Sequence, residues 1–172
     1  EMNSPYGGKL VDRILPDKVF EERFCNSFGR YIILGNDDLI HFSNLATGCY
    51  SPLTGFMTEK EYLSVLINTK LPSGLNWSLP ITLHVPELIK KDIVLGQSLA
   101  LRDKNRCVVG VIIVKSLFRI HFEEHAEKLF GTLDESHPGV RNFKSKASHC
   151  IGGDVFMAEG FLPRFRYYNT PR

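Results

Sequence analysis

Ser98-Leu99-Ala100-Leu101-Arg102-Asp103-Lys104-Asn105-Arg106-Cys107-Val108-Val109-Gly110-Val111-Ile112-Ile113-Val114-Lys115 is the stretch on which the fold turns. Ser98–Arg102 and Arg106–Lys115 read as two strands across a hairpin-like turn at Asp103-Lys104-Asn105. Cys107–Val114 is the longest apolar run of the chain and is interrupted by Gly110. It is far shorter than the ~18 residues a membrane span needs, so it suits a buried strand. Upstream, Leu79–Val85 alternates, with Ile81, Leu83 and Val85 on one face and Thr82 and His84 on the other, the pattern of a half-buried strand. Downstream, Cys150–Met157 is a last strand region containing Gly152-Gly153, and Arg30–Leu34 is a short strand near the beginning.

Helices fill the intervals. Asp37 or Asp38 is positioned to cap a helix through about Ala46, with Leu39, Phe42, Leu45 and Ala46 at helical spacing and Gly48 as its stop. Thr58-Glu59-Lys60-Glu61 matches a capping box, so a helix to about Ile67 is expected. A third helix runs from about His121 to Phe130, burying Phe122, Ala126, Leu129 and Phe130, and stops at Gly131. Residues 1–18 read as extended and turn-rich, and His137-Pro138-Gly139 as a turn. With 172 residues and 43% hydrophobic composition, one α+β domain on a mixed or closed sheet is expected. No linker, repeat or low-complexity segment divides it.

Net charge is +2, too small to argue for nucleic acid. Residues 141–172 are locally basic, with 6 basic and 2 acidic side chains. The tail Phe161-Leu162-Pro163-Arg164-Phe165-Arg166-Tyr167-Tyr168 interleaves arginine with aromatics. Such a mix serves protein docking or packing, and equally base stacking with phosphate pairing. Docking is the reading adopted, with Arg164, Arg166 and Tyr168 as the candidate contacts. The four cysteines, Cys25, Cys49, Cys107 and Cys150, contain no C-x-x-C pair. They are expected to be free, mostly buried thiols in a reducing, cytoplasmic setting.

Catalytic motifs are scarce. His121-Phe122-Glu123-Glu124-His125 matches H-x-x-E-H, two histidines four apart that can share a zinc ion with Glu124 as base. The apolar stripe beside the pair and the lack of a third ligand favour an ordinary surface helix, so no metal is expected. No phosphate loop, G-x-G-x-x-G or G-x-S-x-G is present, and no acidic cluster suggests paired-carboxylate chemistry.

Several segments together resemble one family. Ser4-Pro5-Tyr6-Gly7-Gly8-Lys9-Leu10-Val11-Asp12-Arg13 resembles the opening P-H-G-G-x-L-V-N-R of the ATP sulfurylases (sulfate adenylyltransferases). Ala46-Thr47-Gly48-Cys49-Tyr50-Ser51-Pro52-Leu53-Thr54-Gly55-Phe56-Met57 is similar to their G-A-F-S-P-L-x-G-F-M signature. Trp77–Leu83 resembles W-x-x-P-I-x-L, and Gly131–Val140 resembles G-T-x-D-x-x-H-P-G-V. Tyr168-Asn169-Thr170-Pro171-Arg172 looks like the family's passage into its next domain. Departures fall at Tyr6, Asp12 and Cys49-Tyr50, where the family carries His, Asn and Ala-Phe.

The resemblance implies the amino-terminal PUA-like domain over residues 1–172: a small, partly closed β-barrel with peripheral helices. The family's Q-T-R-N-P, H-x-G-H and G-R-D-H-A-G stretches, which hold ATP and sulfate, do not occur. The resemblance therefore implies no catalytic or cofactor-binding residue here; Mg-ATP would belong to the full enzyme. The implied partners are the chain's own catalytic domain and further copies of the enzyme, with no membrane and no nucleic acid. The competing reading is a free-standing PUA-like binding module for RNA.

Overall fold

The computed structural model describes residues 4–87 and 91–162, and Ser98–Lys115 forms the hairpin its sequence implies. The elements in chain order are β1 (Ile14–Leu15), α1 (Asp17–Phe24), a 3-10 turn (Cys25–Ser27), β2 (Tyr31–Ile33), α2 (Asn36–Thr47), β3 (Gly55–Phe56) and α3 (Glu59–Asn68). They continue with β4 (Leu83–Val85), β5 (Ser98–Arg102), β6 (Val108–Arg119), α4 (Phe122–Phe130), α5 (Pro138–Ser145) and β7 (His149–Ala158).

The strands form one mixed sheet of seven in the order β1-β7-β6-β5-β2, with β3 and β4 also paired to β7. The β5–β6 hairpin is antiparallel and bulged between Leu101 and Arg102. The Asp103 carboxylate closes its turn by accepting from the amides of Asn105 and Cys107, at 2.9 Å each. β2 joins β5 in parallel, and β1 joins β7 in parallel. The strand path has β1 and β2 at its ends, so the pairing among the described residues does not close the barrel expected above.

The residues pack into two compact units. Among the described residues, one comprises 4–55, 96–113 and 154–162; the other comprises 56–87, 91–95 and 114–153. In the first, alternation along β6 sends Val111 to one face and Gly110 to the other. Phe20 and Phe24 of α1 cover Val111 and Phe156, with Phe28 and Val108 packed at the margin. Phe42 of α2 covers the opposite face. A Cβ on Gly110 would lie 2.2 Å from the Phe42 ring, so the helix seats only on a glycine there. Burial of each such ring contributes roughly 1.5–3 kcal/mol. In the second unit, α3 buries Tyr62, Val65 and Leu66, and α4 buries His125 and Ala126. Phe143 of α5 packs its ring 5.6 Å from Phe122 and 6.0 Å from Phe130.

The capping box forms in both directions: the Thr58 hydroxyl accepts from the Glu61 amide and the Glu61 carboxylate from the Thr58 amide. Gly48 and Gly131 end their helices in the left-handed conformation, φ 87° and 68°.

Four expectations are corrected. Residues 17–24 are helical, because Pro16 occupies the N-cap position, where it breaks no hydrogen bond, and Phe20 and Phe24 present one apolar stripe. His137-Pro138-Gly139 opens a helix instead of a turn: Pro138 takes the first helical position and the His137 ring caps it. Gly35, with no side chain, is the N-cap of α2, which leaves Asp37 and Asp38 in its first turn. Of the four thiols only Cys150 is buried; Cys25, Cys49 and Cys107 sit at helix ends and turns and are exposed. No described helix is long and apolar enough to cross a membrane.

Candidate functional site

The segment Ala46–Met57 forms a polar lock in the first unit up to Gly55. After α2 stops at Gly48, the chain approaches the opening segment so closely that a Cβ on Gly48 would lie 2.4 Å from the Val11 carbonyl oxygen. Ser51 ties the two together. Its buried hydroxyl donates to the Gly48 carbonyl at 2.6 Å and accepts from the Val11 amide at 2.9 Å. The Arg13 amide donates to the Ala46 carbonyl at 2.9 Å. The Ser51–Pro52 peptide is cis. Tyr50 presents its hydroxyl to His41 Nδ1 at 3.0 Å.

The lock extends to β7. The Thr54 hydroxyl donates to Asp154 Oδ1 at 2.5 Å, and the Val155 amide donates to the Thr54 carbonyl at 3.1 Å. Arg13 Nη2 stands 3.8 Å from Asp154 Oδ2, while its Nε donates to the Val155 carbonyl at 3.2 Å. The Arg13 guanidinium lies 4.1 Å over the Phe156 ring, and that of Arg23 lies 4.8 Å from the same ring. The carboxylate of Asp154 is thereby committed to a cation and a hydroxyl within the lock. The arrangement holds three chain segments together.

In the second unit His84, His125 and His137 hold structural hydrogen bonds. His84 Nδ1 faces the Ala147 carbonyl at 2.7 Å, so that nitrogen carries the proton; Nε2 then accepts from the Thr82 hydroxyl at 2.9 Å. Burial is the main cause that lowers the His84 pKa to about 4; the Ala147 carbonyl opposes it and Lys146 assists. This pairing also explains why Thr82 is buried, although strand alternation assigned it to the solvent face. Tyr62, 1% exposed, puts its hydroxyl 2.8 Å from His125 Nδ1. Burial, with the Cys150 thiol adding to it, raises the Tyr62 phenol above its ordinary range. Burial likewise lowers His125, against the opposing charge of Glu124.

His121 and His125 therefore diverge. His121 is the exposed N-cap of α4, while His125 points into the core toward Tyr62, with ring centroids 6.4 Å apart. Among the described residues no group of three or more His, Cys, Asp or Glu is arranged to hold a metal. In Gly131–Val140, Asp134 accepts from the Ser136 amide at 2.9 Å. Hydrogen bonds from Ser136 hold its carboxyl below the usual range. His137 Nδ1 accepts from the Gly139 amide at 3.1 Å. Tyr6 is exposed, and Asp12 Oδ1 accepts from the Ile14 amide at 3.0 Å. Arg164, Arg166 and Tyr168 lie outside the described residues. The pairing of Thr54 with Asp154, 100 positions apart, carried no local signal in the sequence.

A family model described as a PUA-like domain matches residues 3–160. The chain is 33% identical over 169 residues to a sulfate adenylyltransferase of Ignicoccus hospitalis, covering 97% of this chain and 44% of that protein. It is 34% identical over 158 residues to the sulfate adenylyltransferase of Symbiobacterium thermophilum, covering 91% and 40% respectively. The chain thus spans less than half the length of these relatives and corresponds to their amino-terminal portion. Among solved structures it is similar to a hexameric APS kinase from Thiobacillus denitrificans, with TM-score 0.67 and 26% identity over 90% of this chain and 26% of that one.

Proposed function

Proceeding from a chain that belongs to the PUA-like domain family, we propose that residues 1–172 are the amino-terminal scaffold and docking domain of a sulfate adenylyltransferase. The carrying observation is the coverage: 97% of this chain aligns with the Ignicoccus enzyme, yet only 44% of that enzyme is accounted for. On this reading the whole enzyme joins ATP, as its magnesium complex, to sulfate and releases adenosine 5′-phosphosulfate and pyrophosphate. Such an in-line displacement at the α-phosphorus needs preorganised donors and a metal–phosphate clamp. Those groups belong to the part of the protein beyond these residues.

The contribution of residues 1–172 is then mechanical. The Ser51 and Asp154 lock fixes the signature segment, and Arg164, Arg166 and Tyr168 supply contacts to the catalytic part. The assembled enzyme is read as cytoplasmic and as a homo-oligomer, the latter supported by the hexameric Thiobacillus protein. The small, partly closed barrel of the family is retained as a reading of the fold, supported by the match over residues 3–160.

The test is association. Residues 1–172 are mixed with the separately expressed catalytic part of the same enzyme and followed by sedimentation velocity. A complex that weakens with Arg164→Ala plus Arg166→Ala is the expected result. Failure of the two parts to associate refutes the docking role.

A further inference from the structure

A cavity of about 250 Å³ opens in the first unit, lined by Phe20, Phe28, Phe161, Val108, Asp17 and Glu21, with Ala158 and Gly160 completing the wall. Its volume falls below the range of roughly 300–1,000 Å³ that takes a cofactor or nucleotide, so it suits a group the size of one side chain. Its chemistry is two-sided. The rings of Phe20 and Phe28 stack at 6.0 Å with 22° between their planes. Phe161 adds a third ring that is 4% exposed. Against these rings stand two carboxylates one helical turn apart on α1, and among the described residues no cation lines the cavity.

Asp17 is fixed from behind. Its Oδ1 accepts from the Gly160 amide at 2.8 Å, and a Cβ on Gly160 would lie 2.5 Å from Oδ2, so only glycine permits this approach. The carboxylate is therefore oriented by backbone on the wall of the cavity, while Glu21 is exposed at its rim. Ring faces carry negative charge density, and rings combined with carboxylates are the surroundings that retain an organic cation. A neutral apolar guest would gain nothing from the two acids.

We propose that this cavity is a binding site for a single organic cation, a guanidinium or alkylammonium group. Two sources share that chemistry. One is a free small molecule. The other is an arginine from residues 163–172, which carry Arg164, Arg166 and Arg172 and no acidic residue. Arg164 is three residues beyond Phe161, a chain span of at most roughly 11 Å. Tethering at that distance gives a high effective concentration, so a cis arginine outcompetes a free cation of equal intrinsic affinity.

The experiment uses the 172-residue chain with agmatine as the cationic probe and 1-pentanol as the neutral one, read by amide chemical-shift changes at low ionic strength. Binding of agmatine with a dissociation constant on the order of 1 mM, and no binding of 1-pentanol, identifies a free-cation site. Asp17→Asn plus Glu21→Gln, which keeps the Asp17 acceptor for Gly160, then weakens agmatine roughly tenfold. If the intact chain is silent but Arg164→Gln plus Arg166→Gln exposes agmatine binding, the cation is supplied in cis. Absence of agmatine binding in both proteins overturns the proposal. So does 1-pentanol binding as tightly as agmatine, or agmatine binding undiminished by loss of both carboxylates in a protein whose circular dichroism is unchanged.

Discussion

Acid weakens this protein through His84, and the loss is calculable. In the fold its ring is neutral, donating from Nδ1 to Ala147 and accepting at Nε2 from Thr82, with its pKa lowered to about 4. In the unfolded chain an ordinary histidine titrates near ~6.5. A depressed histidine contributes its full stability above the unfolded value and loses it as pH falls toward the folded one, because the unfolded chain binds the extra proton. Over the whole window the loss is about 3 kcal/mol, and roughly 2 kcal/mol of it is gone by about pH 5. With a urea slope of about 2 kcal/mol/M, the midpoint drops by about 1 M between pH 7 and pH 5 on account of this residue. Urea titrations of the native chain and of His84→Gln at both pH values separate this residue from the rest. The variant is less stable at pH 7 but loses correspondingly less on acidification; His125, shifted in the same direction by burial, accounts for part of the remaining slope. An unchanged pH dependence in His84→Gln refutes the reasoning.

Gly110→Ala is expected to destabilise by roughly 1–3 kcal/mol in thermal unfolding, because the added Cβ meets the Phe42 ring at 2.2 Å and the Phe156 carbonyl oxygen at 2.4 Å. Ser51→Ala strips a buried bridge between Gly48 and Val11 and costs about 1–3 kcal/mol, measured as a lowered urea midpoint with unchanged slope. Thiol titration of the native chain should count Cys25, Cys49 and Cys107 rapidly and Cys150 only after denaturant, whereas four equally fast thiols contradict the burial of Cys150.

What the sequence disclosed was local. The Thr58–Glu61 box, the glycine stops at Gly48 and Gly131, and the Asp103 hairpin each depend on residues within a few positions of one another, and each formed as read. The misreadings have physical causes. Pro16 and Pro138 punctuate extended chain as often as they open helices; what decides is the partner for the helix face, Val111 and Phe156 for α1 and Phe122 and Phe130 for α5. Thr82 looks solvent-facing by alternation and His125 reads only as flanking an apolar stripe, but hydrogen bonds to His84 and Tyr62 let both be buried. The signature segment was recognisable as a string, but its role was not. Ser51 reaches Val11 across 40 positions and Thr54 reaches Asp154 across 100, pairings that periodicity cannot encode.

The central claim is that residues 1–172 scaffold a sulfate adenylyltransferase without carrying its chemistry. Its most direct measurement is ATP formation from adenosine 5′-phosphosulfate and pyrophosphate in the presence of magnesium, with the isolated chain and with the chain plus the separately expressed catalytic part. The account predicts no turnover from the chain alone and turnover from the reconstituted pair. Turnover by the isolated chain, or a catalytic part whose rate and stability are indifferent to it, contradicts the account.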